Sequence, residues 1–449
     1  MAAVNSNLGF EKGTIRNFAG TYFVDNKKTK KERLTFIDET RALAIISMII
    51  AHFGPGVFQR LPSLQFLAEP VLFIGRFATT TFIVVFGITL GFVYFDRFQK
   101  GDRQRITSGL FKRARLLALC SIIICVPNYI NLALAGDWNF FHWMFNTYSI
   151  LNYYTLALIS VPLWLRVCGK SPTASCLVLG SLHWLIGGWV LSIWPLDPSL
   201  GLVEYIRMHV ASGPYGYLQM SGTAILAIPV GRAIRAAMNT EQGVQNLLWK
   251  LVPLGAAIAV SGWLLGVFYG EFSVGAIVEG TVKTPARVWY FLFFGGFALI
   301  LVSSMGMIGK ALGKWSFLTH PLSLFGQASL GIYTGHKFVL PSLGWMDGVG
   351  LEIEGVIRVV MPFALFGIFC LVMMYLQHLK GSAKPKAKGK EKNKSTPKVD
   401  ELPSTEVGNS RDAIQSRSVS DEKKVNIPEG NEEAAPEKQD ADRLPVGVG

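Results

Sequence analysis

The stretch FIDETRALAIISMIIAHF, residues 36–53, decides how the chain reads. Asp38 and Arg41 stand at one end of an apolar run and His52 near the other. At ~100° per residue, the spacing from Arg41 to His52 brings the two within about 20° of each other on a helix. Asp38 falls about 40° to the other side of His52, so all three share one stripe. The rise from Arg41 to His52 is roughly 16 Å, about half the hydrocarbon core of a bilayer. An ionisable side chain inside a membrane span is costly and usually faces a protein interior or a wet cavity. Two readings follow. One is a catalytic histidine held in a membrane cavity; the other is a capped helix whose histidine bonds a neighbouring helix.

The composition around that stretch favours a membrane protein. Hydrophobic residues make up 50% of the 449 positions, and the mean hydropathy is +0.36. These values exclude an ordinary soluble domain and point to a polytopic, all-α helix bundle. A net charge of +13 would suit nucleic acid, but the Lys and Arg flank apolar runs and fill a C-terminal tail. Membrane lipid is therefore the expected partner, and nucleic acid is not. The five cysteines, Cys120, Cys125, Cys168, Cys176 and Cys370, lie in or beside apolar runs without a C-x-x-C pair. They read as buried thiols, with no metal site expected.

About ten apolar segments are long enough to cross a bilayer with some tilt. Their approximate extents are 42–58, 70–95, 114–135, 148–167, 174–194, 214–231, 250–269, 288–308, 323–343 and 356–377. Residues 1–35 form a basic collar ending in KKTKKER, with no signal-peptide core, so the first span would be an uncleaved anchor. Residues 36–378 form the membrane domain. Residues 379–449 are rich in Lys, Glu, Pro, Ser and Asp and are expected to be a disordered, charged tail. With the N-terminus in the cytoplasm, the inside loops carry RFQKGDRQR and KRAR (97–115), RVCGK, GRAIR and GKALGK. The outside loops carry Asp137, Asp197, Glu204, Glu271, Glu279, Asp347, Glu352 and Glu354. That alternation is the positive-inside pattern, so both termini are expected in the cytoplasm.

Several groups along the chain could carry chemistry. In the second span Gly87 and Gly91 sit four apart on one face, which permits close helix packing. Arg76, at its outer end, is a candidate substrate contact. The basic loop that follows offers Lys112, Arg113 and Arg115 as candidates for a polyphosphate ligand, although its charge also serves as a topological signal. The aromatic stretch 137–154 reads as an interfacial belt, or as a lining for a sugar-like acceptor through Trp138, His142 and Trp143. His183, mid-span, reads as a hydrogen-bonded packing residue. Glu204, Arg207 and His209 fall in an outside loop as weaker acceptor contacts. In the ninth span, FGQASLGIYTGHKFVLPSL, Ser329, Tyr333 and His336 follow i, i+4, i+7 spacing and share a face that should point into the bundle.

A basic run, then Asp38, Arg41 and His52 at this spacing, resembles the membrane acyltransferase-3 family. It also resembles the related glucan succinyltransferases of the OpgC type and the heparan-glucosaminide acetyltransferases. TTTFIVVFGITLGFVYFDRF resembles that family's Phe-rich second span, KRARLLAL its basic entry to the third, and GQASLGIYTGH its late Ser-x-x-x-Tyr-x-x-His segment. Coverage is roughly residues 32–377. Two positions depart from the pattern: Ala42 follows Arg41 where most members have Gly, and Phe86 precedes Gly87 where Ser is common.

The resemblance implies transfer of an acyl group from a cytoplasmic acyl-CoA, acetyl-CoA or succinyl-CoA, to an acceptor hydroxyl across the membrane. The acceptor would be a glycan or another hydroxyl compound, and the membrane the plasma or inner membrane. His52, Arg41 and Asp38 would be catalytic, with His52 as general base or acyl carrier. Arg113, Arg115 and Lys112 would bind the nucleotide end of CoA. Ser329, Tyr333, His336 and Arg76 would contact substrate. The competing class is a transporter or channel for a small polar solute, lined by His52 and His336.

Overall fold

A computed structural model describes residues 34–139, 143, 149–169, 171–193, 201–238, 240–312, 316–348 and 356–382. Most of the expected N-terminal collar and charged tail, together with His142, lies outside the described residues. The fold is all-helical. Its main helices are α1 (Thr35–Arg60), α2 (Ala68–Gly75), α3 (Ala78–Thr89), α4 (Arg103–Leu134), α5 (Ile150–Val167), α6 (Pro172–Ile193), α7 (Tyr217–Ala237), α8 (Glu241–Phe268), α9 (Val288–Leu312), α10 (Ser316–Gln327), α11 (Ser329–Gly348) and α12 (Val356–Ser382). Among the described residues, eight helical segments are long and apolar enough to cross a membrane, with α2 and α3 joined in one of them, Pro62–Gln99. The chain is thus a multi-pass membrane protein. The expected sixth and ninth spans fall on α7 and α11, which are not among those eight. α7 instead buries Gln219, Ser221 and Thr223, which lowers its hydropathy. The expected ninth span is broken at Ala328, between α10 and α11.

Burial sorts the helices into an inner and an outer set. The apolar stretch of α9 is 61% buried inside the protein, whereas that of α12 is 11% buried. Exposed Leu116, Leu119 and Ile122 on α4, Val178 and Leu185 on α6, and Leu371 on α12 form the lipid-facing surface that such a set requires. All five cysteines are free thiols, four of them buried. Alternating helix direction gathers Asp38, Arg41, Arg97, Arg113, Arg232 and Arg235 at one end of the bundle, the basic end. Arg76, Tyr215 and Lys283 meet at the far end.

The inner helices touch backbone to backbone, through glycine. A Cβ on Gly87 would lie 2.1 Å from the Ala224 carbonyl oxygen, and one on Gly91 2.0 Å from that of Ile228. From α7, a Cβ on Gly231 would lie 2.0 Å from the Ile88 oxygen. The pair of glycines read from the sequence therefore marks the crossing of α3 and α7. At this crossing α3 runs into a π-type segment, Leu90–Phe95, which contains Gly91 and shifts the helix register before the basic loop. Gly231→Val is expected to cost about 1–3 kcal/mol or more, because a carbonyl held in a helix cannot move aside. Gly188→Val, where a Cβ meets nothing within 4 Å, is the control. Melting of the two purified variants in detergent compares them; equal melting temperatures would contradict the close crossing.

Candidate functional site

At the basic end, the first turns of α1 hold Asp38, Glu39 and Arg41. Asp38 is buried, and Arg41 Nη1 donates to its Oδ1 at 3.0 Å. Arg41 Nη2 donates at 3.0 Å to Oγ1 of Thr89, at the end of α3. The Thr89 hydroxyl in turn donates to the Val85 carbonyl at 2.7 Å. Arg41 therefore joins α1 to α3 beside the glycine crossing. Gly326 admits the end of α10 here, since a Cβ on it would lie 1.8 Å from the Asp38 carbonyl oxygen. Glu39, absent from the sequence-based candidates, is buried and its Oε2 lacks a hydrogen-bond partner among the described residues. Its place directly after Asp38 was the available signal.

The three basic candidates on α4 do not share a face. Lys112 and Arg115 are exposed and continue the stripe of lipid-facing Leu116, Leu119 and Ile122. Arg113 turns toward the second span, where it donates to the Tyr94 hydroxyl and lies over that ring at 5.8 Å. Arg232 and Arg235 of α7 flank Asp96 at 3.7 and 3.4 Å, and Arg97 pairs with Asp102. The basic group with partners on the second span and its loop thus includes α7, which the sequence had marked only as topological.

Further along α1, Ile45 and Met48 continue the Arg41 stripe and are packed with Ala328 and Ile332 in one apolar cluster, at 0% and 4% exposure for the first two. One turn on, His52 is exposed and lines a cavity of about 130 Å³. Its other lining residues include Met48, Arg76, Thr79, Phe82, Ile150, Tyr215, Lys283 and Tyr333. The cavity's lining comes from the far half of the bundle and includes neither Asp38 nor Arg41. On the basic side of His52 the stripe is dry and closed.

Local packing explains how these side chains converge. Pro55 lies in α1 and lacks the N–H that would bond the Ala51 carbonyl. Gly75 brings the end of α2 against Ala51, where a Cβ would lie 2.9 Å from the Ala51 nitrogen. That approach puts Arg76 beside His52. On α11, Gly331 and Gly335 make room for Met373 and Phe369 of α12, at 2.0 and 2.2 Å from an added Cβ. Tyr333 and His336 project from the rest of α11 toward α1. The His336 ring centroid is 5.1 Å from that of His52, with the rings tilted by 37°. Tyr333 lies 5.1 Å from His336 on another side. His336 is fully buried, and its Nδ1 donates to the Tyr333 carbonyl. That bond fixes the tautomer and leaves Nε2 as an acceptor with no hydrogen-bond partner among the described residues.

The structure therefore brings together His52, His336, Tyr333 and Arg76, four of the residues expected from sequence. Asp38 and Arg41 lie at the other end of the same helix. Ser329 is one turn of α11 from Tyr333 and does not line the cavity. Tyr215 and Lys283 were missed, because both come from segments between spans and no pattern ties them to His52. Glu204 and Arg207, expected to face an acceptor, instead close on each other as a buried ion pair at 2.6 Å. Beside them His209 Nε2 meets Asn152 Nδ2 at 3.2 Å, and burial lowers the His209 pKa from its ordinary range. His183 Nδ1 donates to the Leu179 carbonyl at 2.8 Å, a packing bond as expected. Trp143 stacks between Tyr129 and exposed Trp138, with centroids 5.2 and 5.7 Å away.

Compared with known proteins, residues 34–377 match the acyltransferase-3 family, described as an acyltransferase domain. No curated protein matches the chain.

Proposed function

Because the chain belongs to the acyltransferase-3 family of membrane proteins, we propose that it moves an acetyl or succinyl group from acyl-CoA to an acceptor hydroxyl, on a glycan or another hydroxyl compound. The observation that carries this reading is His52. It is an exposed imidazole of a membrane span, it opens into a cavity with Arg76, Thr79, Tyr215, Lys283 and Tyr333 in its lining, and its ring lies against a second histidine. In the reaction the thioester C–S bond breaks and an ester C–O bond forms. The hydroxyl proton passes through His52 to the CoA thiolate. His52 acts either as the general base or as a transient acyl carrier. Tyr333 and His336 orient the acceptor or polarise the thioester carbonyl.

The basic end is proposed to face the cytoplasm, in line with the charge bias of the loops, with both termini on that side of a plasma or inner membrane. The nucleotide end of CoA binds there, on Arg113 with Arg232 and Arg235. To reach His52 the pantetheine arm displaces Met48 and Phe82, and methionine is the side chain best able to yield. Arg41 and Asp38 serve as the joint that holds α1 in register below this route.

Purified protein given labelled acetyl-CoA or succinyl-CoA tests the reading. Acceptor-dependent release of CoA thiol is the expected result. A solute carrier would release none, and would instead move labelled solute into vesicles. Arg113→Ala is expected to raise the KM for acyl-CoA about tenfold, the loss of one charge-assisted hydrogen bond, with less than a twofold change for Arg115→Ala. Equal effects of the two would place the donor elsewhere.

A further inference from the structure

We infer that the cavity beside His52 takes an acceptor carrying an anionic oxygen group, a carboxylate or phosphate, close to the hydroxyl that receives the acyl group. This rests on the acyl-transfer reading and adds the class of acceptor to it. The lining holds two cations, Arg76 and Lys283, and no carboxylate among its described residues.

These cations are held by neutral partners. Arg76 directs both Nε, at 3.1 Å, and Nη2 to the Val278 carbonyl. Lys283 Nζ lies 4.5 Å over the Tyr215 ring. Among the described residues neither Arg76 nor Lys283 enters an ion pair. Other cations at the same end do: Arg287 pairs with Glu271 at 2.9 Å and Arg207 with Glu204 at 2.6 Å. Charge without a counter-charge carries a cost where it is partly buried, as Arg76 and Lys283 are at this end of the bundle. A ligand bearing the missing negative charge removes that cost, and Arg and Lys are the side chains that recognise such oxygens.

The arm that carries Lys283 is built into the fold. It follows the short helix Val274–Glu279, and its neighbours Ile277, Val282 and Ala286 are buried at 0%, 7% and 3% exposure. A bridge between Lys283 and Ala286 closes the turn. The cavity, about 130 Å³, has room for roughly four waters at ~30 Å³ each, so it admits the charged end of an acceptor and its adjoining hydroxyl. Had the cations served only the oxyanion of the reaction, they would favour every acceptor alike. Recognition of an anionic acceptor predicts preference among acceptors.

Binding is read first, without turnover. Melting of the purified protein is followed with glucose, glucuronic acid and glucose 6-phosphate at equal concentration. The acidic sugars are expected to raise the melting temperature and glucose is not; which of the two shifts it further tells carboxylate from phosphate. Lys283→Gln is expected to remove the shift, and Lys283→Arg to keep it. Equal shifts from glucose and the acidic sugars, or no shift with the unaltered protein, would overturn the inference. Turnover is read second, as CoA release from acetyl-CoA. The preferred acidic sugar should exceed glucose in kcat/KM by about tenfold, and Lys283→Gln should bring the ratio near one. A Lys283-dependent melting shift without CoA release would support the anion site and count against acyl transfer.

Discussion

His52→Ala is expected to lower acyl transfer by about 10²–10⁴-fold, the contribution typical of a positioned acid–base group. The protein should remain folded. His52 is exposed to the cavity, so truncating it removes little packing beyond its contact with the His336 ring, and His336 keeps its bond to the Tyr333 carbonyl. Acyl transfer in membranes, normalised to protein level, measures the effect. Unchanged turnover at equal level removes His52 from the mechanism. Rapid denaturation at neutral pH, where an acylimidazole survives longer than in acid, after mixing with labelled acyl-CoA then separates its two roles. Label retained on the wild-type protein and lost from the variant means that His52 carries the acyl group; absence of retained label with full turnover means a general base.

Arg41→Ala is expected to act differently, on stability as well as activity. Asp38 is buried, while the Arg41 side chain keeps 28% of its exposure. Removing the guanidinium takes the Arg41 cation from a buried carboxylate, and also cuts the bond to Thr89 that ties α1 to α3. The cost of breaking a buried pair, about 3–5 kcal/mol, applies at its lower end because Arg41 reaches solvent. The expected loss is therefore about 3 kcal/mol, read by melting in detergent. Asp38→Asn in the same chain should recover part of it, because the buried carboxylate that lost Arg41 is then neutral. Activity lost at unchanged melting temperature would instead place Arg41 on the substrate.

The two variants probe opposite ends of one helix, and this is where the sequence was most informative. Within a single helix, spacing alone determines relative direction, so residues 36–53 placed Asp38, Arg41 and His52 on one stripe. The same reasoning put Tyr333 and His336 on a shared face of α11 and Gly87 and Gly91 at a close crossing. Loop charges and apolar runs gave the all-helical, multi-pass class and eight of the ten expected spans, while α7 and the broken ninth segment fall outside that set. What fills the stripe was not readable: Ile45 and Met48 make it dry between Arg41 and His52 because α11 and α12 pack there.

Relations between helices were decided only by the tertiary structure. Gly75 against Ala51 and Gly326 against Asp38 fix the approach of α2 and α10 to α1, and with it the rotation that turns Arg76 toward His52. Tyr215 and Lys283 join the same cavity from segments far away in the chain. Arg113 parts from Lys112 and Arg115 because only the first finds Tyr94 beside it. Periodicity gives each helix its own faces, but which face meets which neighbour depends on backbone contacts and side-chain volumes summed over the whole bundle.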